Sequence, residues 1–164
     1  MITDDDLARL AVRVARHLLK QGLSVATAES CTGGWIAKAL TDIPGSSQWF
    51  LEGFVTYSNE AKIRRLGVSP AVLAREGAVS EAAVRAMAVG AVRRSGARLA
   101  IAVSGIAGPG GAVAGKPVGT VWFGWAKRHG RTLDVVVERR CFRGNRAAVR
   151  RKTVQRSLAG LLRL

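Results

Sequence analysis

Apolar and polar positions alternate along the chain in two rhythms, and the change from one to the other marks out most of the elements. Leu7, Leu10, Ala11, Val14, Ala15 and Leu18 recur at three- and four-residue spacing, the period of one helix face. Thr3 stands where a cap belongs, Asp4, Asp5 and Asp6 place carboxylates at the favourable end of the helix dipole, and Gly22 stops the run. A short apolar segment, residues 23–27, predicts a strand. It leads through Ala-Glu-Ser-Cys-Thr-Gly-Gly into a second helix over 35–40, which Pro44-Gly45 breaks. Residues 49–57 predict another strand, and Asn59 then opens a short helix carrying Lys62. Ser69 and Ser80 are further cap candidates; behind Ser80, the positions Val84, Met87, Ala88 and Ala91 share a face that ends at Gly96.

Residues 99–103 are almost unbroken apolar sequence, as in a strand covered on both faces, and are expected at the centre of a sheet. They empty into residues 104–119, rich in glycine and with two prolines, where no helix can persist. Residues 118–127 and 132–142 predict two strands joined as a hairpin through His129-Gly130. Trp122 and Trp125 on the first of them are expected in the core and not at an interface. Asn145 caps a last helix with Ala148, Val149, Val154, Leu158, Leu161 and Leu162 among its apolar positions. Helices alternating with strands, then a late hairpin, predict an α/β fold, layered α/β/α around a mixed sheet. Neither a repeat nor a linker divides the chain, so residues 1–164 are expected to form a single domain.

Composition fits a folded enzyme-sized unit: 48% of the residues are apolar, enough for a core without disulfides or a metal. No apolar run is long enough to span a bilayer, and the acidic N-terminus is unlike a secretory signal, so a cytoplasmic location is expected. Cys31 and Cys141 make neither a disulfide framework nor a zinc site, and His17 and His129 stand apart in no ligand pattern. Charge changes the picture more. The net charge is +15, and residues 127–164 hold 12 of the 26 basic residues but only 2 of the 11 acidic ones. Such a tail points to nucleic acid or another anionic partner.

Three segments carry candidate chemistry. Glu29-Ser30-Cys31-Thr32-Gly33-Gly34 joins a strand to a helix by a tight turn, a geometry that projects a nucleophile while N–H groups at the helix start stabilise an oxyanion or a phosphate. The plainer alternative is a glycine turn with Thr32 as helix cap. Residues 104–119 are long enough for a substrate-binding loop, or for a surface connection. In the third, Tyr57-Ser58-Asn59-Glu60-Ala61-Lys62, the only tyrosine precedes a lysine in the first turn of its helix. The dipole field and burial both push a lysine pKa down, which a neutral general base requires. A Ser–Lys pair with a tyrosine hydroxyl replaces a histidine base in several hydrolases. Taken alone, the same lysine beside Glu60 reads as a solvated helix residue.

The segments ESCTGGWIAKALTDIPGSS, FVTYSNEAKIRRLGV, GAVSEAAVRAMAVGA and VSGIAGPGG with KPVGTVWFGWA follow one another in this order. Together they closely resemble the C-terminal domain of the CinA competence/damage-inducible family, including its stand-alone nicotinamide-nucleotide amidases. The likeness runs over nearly all of the chain, to the segment FRGNRAAVRR. It implies hydrolysis of the carboxamide of nicotinamide mononucleotide, a small-molecule substrate, to nicotinate mononucleotide and ammonia. It also implies a serine amidohydrolase mechanism without metal or cofactor. On the family pattern Ser30 is the nucleophile, Lys62 the general base and Tyr57 the hydroxyl that assists proton transfer. Thr32, Gly33, Gly34, Ser104, Gly105 and Arg146 map to the phosphate and ribose contacts, and a homo-oligomer is expected. Ser104 stands where many members carry Thr, which keeps the hydroxyl and loses a methyl contact. The chain has no room for the N-terminal domain of full-length members, so their second activity is not expected. Cys31, beside the nucleophile, is the alternative attacking group. Two other functions remain in view: a nucleic-acid-binding module built on the basic tail, and an amidase of the same fold acting on another amide.

Overall fold

Thr3 closes a capping box at the start of α1 (Asp4–Gln21): its hydroxyl accepts from the Asp6 N–H while the Asp6 carboxylate accepts from the Thr3 N–H. Gly22, at φ 62°, ends the helix in the left-handed conformation. The computed structural model describes residues 2–164. β1 (Val25–Glu29) begins two residues later than the hydropathy pattern suggested, because Leu23 still donates to the Leu18 carbonyl as part of the helix end. Its register is then set by the pairing of Val25 with Leu99. α2 (Trp35–Thr41) and a single 3-10 turn lead to β2 (Phe50–Val55). α3 (Asn59–Leu66) opens at Asn59 as expected and is capped by Ser58, whose hydroxyl accepts from the Ala61 N–H. α4 (Pro70–Glu76) starts on its proline behind Ser69, and α5 (Glu81–Ser95) behind Ser80. β3 (Leu99–Gly105), β4 (Thr120–His129), β5 (Thr132–Cys141) and α6 (Arg146–Leu161) complete the chain. The hairpin turn falls at Gly130-Arg131, with the left-handed residue at Gly130 and His129 still paired to Thr132.

The sheet order is β2-β1-β3-β4-β5, with β1 parallel to both β2 and β3 and the remaining pairs antiparallel. The fold is therefore the α/β arrangement around a mixed sheet that the sequence predicted, with β3 at its centre. Alternation along β3 divides the core. Leu99, Ile101 and Val103 pack with α1, α2 and α6, whereas Ala100 and Ala102 pack with α5, Leu66, Val68 and Leu73. The second core uses small residues because α5 lies close to the sheet. A Cβ on Gly124 would come within 2.9 Å of the Val84 carbonyl oxygen. Trp125 is buried, stacked on Phe123 at 5.5 Å between ring centroids, and its Nε1 donates to the Ser157 carbonyl at 3.1 Å. Trp122 faces the other side of the sheet and is half-buried.

β1, β2 and β3 run parallel, so their C-terminal ends lie on one edge of the sheet. The turn 30–34, the segment 56–58 and the start of the glycine-rich loop emerge together there, where open α/β sheets bind ligands.

Candidate active site

The turn after β1 is organised by a residue that sequence reasoning left without a role. Glu29 is fully buried, and its carboxylate accepts from Thr32 Oγ1 at 2.6 Å and from the N–H groups of Gly34, Ile36 and Ala37 at 3.1, 2.9 and 2.8 Å. The carboxylate serves as the cap of α2, sitting on the positive end of its dipole, and Gly34 at the N-cap position supplies no side chain. Thr32 is thus a donor to the capping group and not itself the cap. Gly33 and Gly34 have φ of 60° and 94°, conformations open to glycine, which let the turn fold back so that Gly33 donates to the Ser30 carbonyl at 3.0 Å. Ser30 N–H in turn donates to the Val103 carbonyl at 3.2 Å, fastening the turn to the central strand.

Opposite Ser30 stands Lys62, only 1% exposed. Its Nζ donates to Ser30 Oγ at 3.2 Å, to the Thr56 carbonyl at 2.7 Å and to the Tyr57 carbonyl at 3.1 Å. Burial pushes the Lys62 pKa below the ordinary lysine range. The position in α3 that the sequence allowed to be solvated is therefore an interior one. Its amine has a fixed direction, set by two backbone carbonyls and aimed at one hydroxyl. Cys31 is buried beside them, and desolvation pushes its thiol up to about 12. At neutral pH it is a thiol, inert as a nucleophile.

Tyr57 contributes its carbonyl to Lys62, while its exposed hydroxyl accepts from Arg146 Nη2 at 3.0 Å. Among the described residues that hydroxyl has no hydrogen bond to Ser30 or Lys62. Arg146 Nη1 donates to the Gly108 carbonyl at 3.0 Å, so one guanidinium joins the first residue of α6 to β2's exit and to the glycine-rich loop. Arg150, one turn further along α6, donates from Nε to the Cys31 carbonyl at 3.1 Å and from Nη2 to the Thr32 carbonyl at 2.8 Å. Its guanidinium also lies over the Trp35 ring, 5.5 Å from the centroid. The sequence signal for Arg150 was its i+4 spacing from Arg146, which places both on one helix face.

The remaining candidates divide. Ser104 is buried and its hydroxyl donates to the Ala78 carbonyl at 2.7 Å, tying β3 to the segment before α5. Gly105 is required by closeness, since a Cβ there would meet Val121 Cγ2 at 2.7 Å. The amides of Gly33 and Gly34 are occupied within the turn, whereas those of Cys31 and Thr32 have no partner among the described residues. Ser30, Lys62, Tyr57, Thr32 and Arg146 are brought together; Ser104 and Gly105 shape the strand beneath. Among the described residues no group of three or more His, Cys, Asp or Glu is placed to hold a metal ion, and no helix is long and apolar enough to cross a membrane.

A family model described as the CinA C-terminal domain matches residues 7–164. The nicotinamide-nucleotide amidohydrolase PncC of Escherichia coli (strain K12) is 51% identical over 160 residues, covering 98% of this chain and 95% of that protein. The protein of the same name from Pseudomonas putida is 53% identical over 160 residues, covering 98% of each. Among solved structures, the competence damage-inducible protein A (ComA) of Klebsiella pneumoniae superposes with a TM-score of 0.91 at 43% identity, over 96% of this chain and 95% of that one.

Proposed function

The chain belongs to the CinA C-terminal domain family, and on that premise we propose that it hydrolyses the carboxamide of nicotinamide mononucleotide to nicotinate mononucleotide and ammonia. The observation that carries the chemistry is the buried Lys62 amine on the Ser30 hydroxyl. Relatives named as nicotinamide-nucleotide amidohydrolases, about half identical over nearly the full chain, support the substrate. Residues 1–164 act as one amidohydrolase unit in this proposal, and the site needs no metal or cofactor.

The neutral Lys62 amine takes the Ser30 proton as Oγ bonds to the carboxamide carbon, giving a tetrahedral oxyanion. The N–H groups of Cys31 and Thr32, without a hydrogen-bond partner among the described residues, are the proposed donors to that charge. Lys62, now an ammonium, gives its proton to the departing nitrogen. The carbon–nitrogen bond breaks, and ammonia leaves an ester on Ser30. Water then adds to the ester with its proton passing to Lys62, and collapse releases the carboxylate and returns the proton to Ser30. Arg146 spends two of its five donors on Gly108 and Tyr57, leaving three for a phosphate. The Tyr57 hydroxyl accepts from Arg146 and so keeps its own proton free for donation toward the substrate.

Because protonated Lys62 cannot accept a proton, kcat/KM is expected to rise with pH through the Lys62 pKa and then level off. Burial lowers that pKa, so the rise is expected at lower pH than for a free lysine, near 10.4. A pH–rate profile with its acid limb at or above the free-lysine value contradicts a buried, neutral base.

Substrate identity is tested by ammonia release from the mononucleotide, its riboside and free nicotinamide. The expected order is mononucleotide far ahead, with the riboside losing at least about 2 kcal/mol of transition-state binding through Arg146. Equal turnover of the riboside would assign the same machinery to another amide.

A further inference from the structure

The Ser30 site uses Arg146 and Arg150 and leaves most of the positive charge unexplained. Helix α6 shows where the rest collects. Arg146 and Arg150 share the face toward the turn 30–34, whereas Lys152, Gln155, Arg156 and Ala159 follow at i, i+3, i+4 and i+7 on the opposite face. That second face, with α1 and the end of β5, bounds a groove of about 790 Å³. Five cations line it: Arg13 from α1, Arg140 and Arg143 at and beyond the end of β5, and Lys152 and Arg156 from α6.

Among the described residues no carboxylate lines the groove. Two of the cations, Arg140 and Arg156, share a single acid, Glu138. Among the described residues Arg13, Arg143 and Lys152 have no carboxylate partner. Lys152 donates to the Arg143 carbonyl at 2.7 Å, which draws its amine to the groove wall and leaves two protons free. Like charges lining one groove repel one another, and a multiply charged anion seated among them offsets that repulsion. The floor is apolar, made by half-buried Ile2, Leu10 and Phe142, and the volume is that of a small-molecule site. A single-strand-binding face would offer aromatic platforms, yet aromatic residues are 5% of this chain.

We propose that this groove, on the side of α6 away from Ser30, binds a small ligand carrying two or more linked phosphate groups. The apolar floor accepts an uncharged portion of the ligand, and Arg13, Arg143 and Lys152 its phosphates, beside the Glu138-paired Arg140 and Arg156. Inorganic triphosphate and ATP share the charged part and differ in that uncharged portion, so together they separate an inorganic from a nucleotide ligand.

Calorimetric titration of the full chain with each, at about 150 mM salt, is expected to show saturable binding, with orthophosphate at least about tenfold weaker. Arg13→Ser with Arg143→Ser, both at exposed positions, is expected to weaken triphosphate and ATP at least about tenfold. Lys152→Gln alone is expected to weaken both in the same direction. Arg93→Ser with Arg131→Ser, removing equal charge from a separate arginine cluster, is expected to change neither. Equal loss in the two double variants overturns the proposal in favour of undirected attraction. So does a duplex of about 20 base pairs that binds at this salt while triphosphate does not.

Discussion

Replacing Ser30 with alanine is expected to lower amide hydrolysis by roughly 10⁴-fold or more while the protein stays folded. The Ser30 side chain takes part in one hydrogen bond, from Lys62, and the Lys62 amine keeps the Thr56 and Tyr57 carbonyls when the hydroxyl is gone. The loss is therefore one of chemistry and not of architecture. Lys62→Met is expected to be as damaging to turnover, because the hydroxyl then has no acceptor for its proton. Stability is expected to change little or to fall slightly. A methionine of similar length fills the same buried space without an amine to desolvate, but it leaves the Thr56 and Tyr57 carbonyls without their donor. The double variant is expected to be no slower than either single one, since the two groups act as a unit. Single-turnover ammonia release with melting curves for all three variants checks this. Turnover surviving in Ser30→Ala would move the nucleophile to Cys31, against the displacement of its thiol to about 12.

The elements were legible where one local rule sufficed. The α1 spacing, the Thr3 cap and the unbroken apolar run of β3 survive into the fold because each depends on neighbours within a turn or on burial of both faces. Boundaries moved where a distant partner set them, as with β1, whose start follows from its pairing with β3. The site was legible in the same uneven way. The positions of Ser30 and Lys62 in a turn and a first helical turn suggested a nucleophile and a base, and the family resemblance assigned those roles, but neither foretold their meeting. They are 32 residues apart, and only the parallel pairing of β1 with β2 brings the two strand ends together. Arg150 reaches back 119 residues to hold the Cys31 carbonyl, a contact no local pattern encodes. The hydroxyl of Ser104, which the family resemblance places among the substrate contacts, donates instead to the Ala78 carbonyl. Glu29 was read as part of a polar turn. Its place at the end of an apolar strand, a few residues before a helix without a capping side chain, was the available signal.

Glu29→Gln is expected to destabilise the protein by about 2–4 kcal/mol and to lower kcat with it. One carboxylate oxygen accepts from Thr32, Gly34 and Ile36, and the other from Ala37. A glutamine turns one of these oxygens into a donor, so at least one buried N–H or O–H faces another donor. The charge-assisted character of the remaining bonds is also lost, together with the favourable field of α2. Thr32→Val removes a single donor and leaves the charge in place, so its cost is expected to be smaller, about 1–2 kcal/mol. Urea titration ranks the two variants. Kinetics then separates Glu29 from an ordinary buried residue. Ser30 is the next residue in the chain, and the same turn carries the Cys31 and Thr32 amides, so a loosened turn misplaces the nucleophile and the oxyanion donors at once. The phosphate contact proposed for Arg146 on α6 is untouched. At a temperature where Glu29→Gln is fully folded, kcat is therefore expected to fall at least about tenfold with KM nearly unchanged. A variant that loses stability but keeps kcat would make Glu29 a helix cap alone, with no part in holding the nucleophile.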